Sequence, residues 1–102
     1  RVDNLRNIYL SGLSDYLLNA LPGGTIILFG SYARGEDIHT SDIDIAVIER
    51  KDNLLELEPY EKILHRKINV NFYATWSGIH EHLKNNILSG ILIGGHIKLW
   101  SH

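Results

Sequence analysis

Residues 29–47 read FGSYARGEDIHTSDIDIAV, and the fold follows from how this stretch is read. It opens at the end of Thr25-Ile-Ile-Leu-Phe29, a β-branched and aromatic run behind the turn Pro22-Gly23-Gly24, so a buried strand ends at Phe29. Gly30-Ser31 stops the strand. Ten residues separate Ser31 from Asp42-Ile-Asp44-Ile-Ala-Val47, which has carboxylates at i and i+2 that a strand places on one face. Each part suits phosphate chemistry. Glycine has no Cβ and lets backbone approach an anion closely. A serine where a strand becomes a helix offers its hydroxyl and N–H to phosphate. Two carboxylates on one face form a hard oxygen site for Mg²⁺. Phosphoryl and nucleotidyl transfer ask mainly for positioning and for neutralisation of triphosphate charge. Asp44 also lies in an otherwise apolar segment, where an unpartnered carboxylate would cost on the order of several kcal/mol. It therefore calls for a metal, a cation or an exposed site.

Gly30-Ser31, ten residues and Asp42-x-Asp44 together resemble the signature of the polymerase-β-like nucleotidyltransferase superfamily. More narrowly, Gly30-Ser31-x-Ala33-Arg34-Gly35 and Ser41-Asp42-x-Asp44 resemble its minimal nucleotidyltransferase (MNT) domains. The resemblance implies an α/β (α+β) fold, a small mixed β-sheet backed by helices. It implies ATP as substrate and Mg²⁺ as cofactor. Gly30, Ser31, Arg34 and Ser41 would bind the nucleotide, Asp42 and Asp44 would hold the metal, and an acceptor hydroxyl would attack the α-phosphorus as pyrophosphate leaves. It further implies an antitoxin that neutralises a HEPN-domain toxin, a ribonuclease, by transferring AMP to it. The chain departs from the family at one point. The family's third carboxylate belongs on the following strand, and that strand carries Asn69 and Asn71, with Asn69 at the matching position. An asparagine can ligate through its carbonyl, but brings no charge and cannot act as a base.

Two other classes stay open. One is a catalytically inactive MNT-type partner-binding module, supported by Asn69 and Asn71. The other is a small-molecule nucleotidyltransferase, for which a chain of this length would need a homo-oligomer to complete an acceptor pocket.

The length of 102 residues fits one domain, residues 1–102, which buries roughly two-thirds of its accessible surface. No run of 18 apolar residues offers a membrane span, and no signal-peptide pattern is visible. The absence of cysteine excludes disulfides and thiol chemistry and is compatible with the cytoplasm. A net charge of −2 argues against nonspecific nucleic-acid binding. The charge is unevenly spread: nine acidic residues but only Arg50 and Lys51 lie between Glu36 and Glu61. A triphosphate would approach this acidic stretch with Mg²⁺, or with help from Arg34 and Lys67.

Along the chain, Leu5, Ile8, Tyr9, Leu13, Tyr16 and Leu17 keep a helical stripe that predicts one helix over Val2–Leu21, capped by Asp3. A short helix over Ser31–Gly35 and a polar loop over Glu36–Ser41 lead to a strand at Ile43–Glu49. Leu54–Arg66 suits a helix whose regular part starts near Pro59. Lys67–Ala74 is a third strand with Asn69, Asn71 and Tyr73 on one face. Trp76, Ile79, Leu83, Ile87 and Ile91 predict a last helix from a Thr75 cap to about Ile93, and His96–Ser101 a short final strand. The six histidines form no metal set; His80 and His82 fall two apart on a predicted helix, and His39 reads as a solvated loop residue.

Overall fold

A computed structural model describes residues 2–36, 41–50 and 52–95. In chain order the elements are α1 (Val2–Ser11), α2 (Leu13–Ala20), β1 (Thr25–Phe29), α3 (Gly30–Arg34), β2 (Ile43–Ile48), α4 (Glu58–Leu64), β3 (Ile68–Tyr73), a 3₁₀ turn (Trp76–Gly78), α5 (Glu81–Leu88) and β4 (Ile91–Gly94). The strands form one mixed sheet in the order β3-β2-β1-β4. β1 pairs antiparallel with β2 and β4, and β2 pairs parallel with β3. A parallel neighbour needs a crossover, and α4 supplies it. This is the mixed sheet backed by helices that the resemblance implied.

β1 and β2 are the central strands, and apart from Asp44 every residue in them is buried. Their side chains alternate between two cores. Ile26, Leu28, Ile43, Ile45 and Val47 join Ile8, Leu13 and Leu17 of the first two helices. Ile27, Phe29, Ala46 and Ile48 join Ile79 and Ile87 on the other side. Continuous apolar runs are what two covered faces demand of a strand.

The chain departs from the predicted elements in two places. The N-terminal helix is two helices, broken at Gly12, whose φ of +87° is left-handed. Ser11 prepares the break: its hydroxyl donates to the Ile8 carbonyl (2.8 Å) and accepts from the Leu13 N–H (3.2 Å), competing with the helical ladder. Asp3 lies inside the first turn of α1, not ahead of it as a cap.

The second departure is at the C-terminal end. Thr75 does cap a helix, accepting from the Gly78 N–H at 3.2 Å, but only the 3₁₀ turn. α5 starts at Glu81 and stops at Leu88, and Ile91–Gly94 is an edge strand. The spacing of Ile87 and Ile91 fits a helical stripe, but β-branched Ile91 and Ile93 pack on the main core from a strand while Leu92 is exposed. Gly90 makes the switch possible, because a Cβ there would collide with the Leu28 carbonyl and crowd the Ile27 side chain. The predicted strand at His96–Ser101, with Asp37 and His39 of the motif loop, lies outside the described residues.

Pro59, by contrast, stands in the first turn of α4, where its missing N–H costs no helical bond. Among the described residues no helix is long and apolar enough to cross a membrane.

Gly90→Ala should lower stability by about 2–3 kcal/mol through overpacking against a fixed ladder carbonyl. Gly23→Ala, at φ +83° with open space around it, should cost only the left-handed strain of about 1 kcal/mol. Urea midpoints of the two variants check the difference.

Candidate functional site

The site sits where β1 ends and β2 begins. Phe29 pairs with Asp44 across the antiparallel ladder, so α3 starts beside that carboxylate. Gly30 adopts φ +82°, and a Cβ on it would stand 2.7 Å from Asp44 Oδ2. Position 30 therefore demands glycine twice, for its backbone angle and for the space the carboxylate fills. On its other side Asp44 pairs with Asn69 of β3 in the parallel ladder. The Asn69 amide donates to both acids, to Asp42 Oδ2 at 3.0 Å and to Asp44 Oδ1 at 3.2 Å. The two carboxylates thus converge on one small volume, with Asp42 exposed and Asp44 half-buried. Asp44 lies on the sheet face that carries Ala46 and Ile48, away from the main core. It escapes the penalty of a buried charge because Asn69 partners it and the site end is open.

Gly30, Asp42, Asp44 and Asn69 are therefore brought together, and Ser31 follows Gly30 in α3. Ser41 precedes Asp42, and its carbonyl accepts from Arg66 Nη1 at 3.1 Å. Arg34 is placed differently. It is the last residue of α3, about 6 Å along the axis from Gly30. Its Nε pairs with Glu36 Oε1 at 2.6 Å. Both partners are exposed, so the pair is worth little and can open. Lys67 is exposed, and its carbonyl takes part, accepting the Ile43 N–H at 2.8 Å.

Farther along β3, Asn71 and Tyr73 share the Asn69 face. Burial raises the Tyr73 phenol above its ordinary pKa, which keeps it protonated near neutral pH and unsuited to act as a base. Glu61 and Arg66 are contributions the motif did not announce. Glu61 Oε2 accepts the Ile68 N–H at 2.9 Å, fixing the start of β3, and Arg66 holds Ser41. Glu61 acts from within α4 and Arg66 from the connection to β3, 25 residues from Ser41, and no local spacing in the sequence marks them.

Two converging carboxylates fit a divalent cation, whose remaining oxygen ligands would come from phosphate and water. Among the described residues no group of three or more His, Asp or Glu side chains is placed to hold a metal alone. A neutral Asn69 in the third position agrees with that. Its amide can donate to the acids, as here, or present its carbonyl oxygen after rotation.

Comparison with known proteins bears on this geometry. A family profile described as "Nucleotidyltransferase domain" matches residues 10–93. Two proteins of Methanocaldococcus jannaschii, each named "Putative protein adenylyltransferase", are similar to the chain. One is 53% identical over 51 residues, which is 45% of this chain and 59% of the relative. The other is 40% identical over 67 residues, 61% of this chain and 69% of the relative. The chain thus spans about three-fifths of the first relative's length.

Gly30→Ala should cost at least about 1–2 kcal/mol of left-handed strain and also displace the Asp44 carboxylate. The expected outcome is a lowered urea midpoint together with lost Mg²⁺-dependent ATP binding in calorimetry. Gly23→Ala should show only the stability loss.

Proposed function

The chain belongs to the nucleotidyltransferase domain family, and on that premise we propose that it is a Mg²⁺-dependent adenylyltransferase that moves AMP from ATP to a protein hydroxyl. One observation carries the reading: Asp42 and Asp44 converge on the Asn69 amide, and Asp44 lies directly against the Gly30 backbone. That arrangement suits a cation-bridged triphosphate. The names of the two relatives, protein adenylyltransferases, support AMP as the group moved and a protein as the acceptor.

In this reading the backbone at Gly30 and Ser31 binds the β,γ-phosphates, as the lack of a Cβ allows. Asp42 and Asp44 would hold Mg²⁺, which when bound supplies charge neutralisation and polarises the triphosphate. Arg34, released from its exposed pair with Glu36, adds positive charge near the phosphates. The acceptor oxygen forms a bond to the α-phosphorus, the bond from that phosphorus to the β-bridging oxygen breaks, and pyrophosphate leaves. The hydroxyl proton must go elsewhere. Asn69 cannot take it, so it passes to solvent water at the exposed end of the site. By resemblance to MNT antitoxins, the acceptor is a HEPN-domain toxin, which adenylylation would silence. The same reading sets the protein in the cytoplasm, where ATP and Mg²⁺ are supplied.

A second reading has its own support. Asn69, at the position of the family's third carboxylate, donates to both acids and brings neither charge nor a base, which is what an inactive site retained for partner binding would show.

ATP should bind in the presence of Mg²⁺ and fail to bind in excess EDTA. Asp42→Asn and Asp44→Asn should each abolish that binding and leave the melting temperature in EDTA unchanged or raised, because like charges are removed. Equal binding with and without the ion would rule out the metal role.

Asn69→Asp should raise labelled-AMP transfer. Restoring a general base is worth about 10²–10⁴-fold. Asn71→Asp, two residues along the same face, should do much less. Silence of both variants with an inert wild type, tested with a HEPN partner, would leave the binding-module reading standing.

A further inference from the structure

We propose that Arg66 is a positioning residue for Asp42 and sets the divalent-cation affinity of the site, an inference that rests on the nucleotide-binding reading above. Asp42 and Asp44 are held in different ways. Asp44 sits inside β2, paired with Phe29 on one side and Asn69 on the other, so the ladder places it. Asp42 is one residue before the strand begins at Ile43 and is exposed. Among the described residues no ladder partner pairs with it.

Two consecutive residues of the α4–β3 connection hold its backbone instead. Arg66 Nη1 donates to the carbonyl of Ser41, the residue before Asp42, at 3.1 Å. The Lys67 carbonyl accepts from the N–H of Ile43, the residue after Asp42, at 2.8 Å. Asp42 is bracketed between these bonds.

Arg66 reaches a second element as well. Its guanidinium carbon lies 5.2 Å from the centroid of the Tyr32 ring, within cation–π range. Tyr32 is buried in α3, the helix that opens with Gly30-Ser31, and its carbonyl accepts from Asn4 Nδ2 of α1 at 3.0 Å. One planar cation therefore links the helix proposed to bind phosphate to the residue just before the Asp42 proposed to bind the metal. Stacking on a ring while donating in plane to a carbonyl is a guanidinium geometry that an ammonium does not reproduce.

The anchor of Arg66 is firm. It follows His65, which ends α4 in the left-handed region at φ +55°. Its own N–H bonds the Glu61 carbonyl at 3.3 Å, and Glu61 Oε2 in turn holds the Ile68 N–H. Loss of Arg66 should loosen the backbone on one side of Asp42, which keeps the Lys67 bond on the other side and the Asn69 amide on its side chain, and leave Asp44 in place.

The test uses the full chain with Arg66→Ala, Arg66→Lys and Arg66→Gln. Mg²⁺ is titrated at fixed ATP by calorimetry, and amide hydrogen exchange is followed at Asp42, Ile43, Ile45 and Val47. Arg66→Ala should raise the half-saturating Mg²⁺ concentration roughly tenfold, the scale of one charge-assisted hydrogen bond. Arg66→Lys should recover at most part of that. Exchange should speed at Asp42 and Ile43 and stay unchanged at Ile45 and Val47. If Arg66→Ala fails to fold, Arg66→Gln, which keeps a donor for Ser41 but loses the charge, takes its place. Unchanged Mg²⁺ dependence and unchanged exchange in a folded variant would overturn the proposal. A wild type that binds no ATP with Mg²⁺ would instead overturn the nucleotide reading and the cation-affinity claim with it, while the exchange rates still decide whether Arg66 holds Asp42.

Discussion

The contact between the Gly30 backbone and the Asp44 carboxylate is the constraint on which the site depends. It arises from register. Because Phe29 pairs with Asp44 in the antiparallel ladder, the first residue of α3 must pass directly over an ionisable side chain. Only a residue without a Cβ can do so, and only one at ease at φ +82° can turn the chain from strand to helix there. A shift of one residue in that ladder would send Asp44 to the main core and bring an isoleucine to the site. The long apolar runs of β1 and β2, buried on both faces, guard against such a slip by giving each position a defined packing partner.

Electrostatics at the same point is unusual for the neutral group it contains. Two carboxylates at close range repel one another. Asn69 relieves this by donating one amide to both. The same substitution removes the negative charge and the proton acceptor that a carboxylate would have offered. Cohesion of the two acids and catalytic power are therefore set against each other at a single position, and the family resemblance alone does not reveal that trade.

α4 and the connection from it to β3 tie these features to the body of the fold. Glu61 determines where β3 starts, and that start puts Asn69 level with Asp44. The next residues along hold the chain on both sides of Asp42. A crossover whose topological role is to bring β3 parallel to β2 thus also organises the end of the sheet where Asp42 and Asp44 meet.

The central part of this architecture was legible in the chain itself. Thr25–Phe29 and Ile43–Ile48 are strands because their apolar content is dense and bounded by glycine, serine and acidic residues, and local chemistry decides such segments. The family was legible for the same reason: Gly30, Ser31, Asp42 and Asp44 lie close in sequence and carry their chemistry in their types. Other features depended on distant contacts. Gly12 is compatible with a continued helix until Ser11 bonds back to Ile8, and the Ile87–Ile91 spacing fits helix and strand alike until β1 offers Ile91–Ile93 an edge. Asn69 was readable as a missing carboxylate, yet its bridge between two acids exists only because the parallel register aligns it with Asp44. Arg66 carries no local mark at all, since its partners, Ser41 and Tyr32, lie 25 and 34 positions earlier in the chain. Side-chain type and short spacing determine what a segment can do, whereas burial, register and long-range hydrogen bonds decide which of its options is taken.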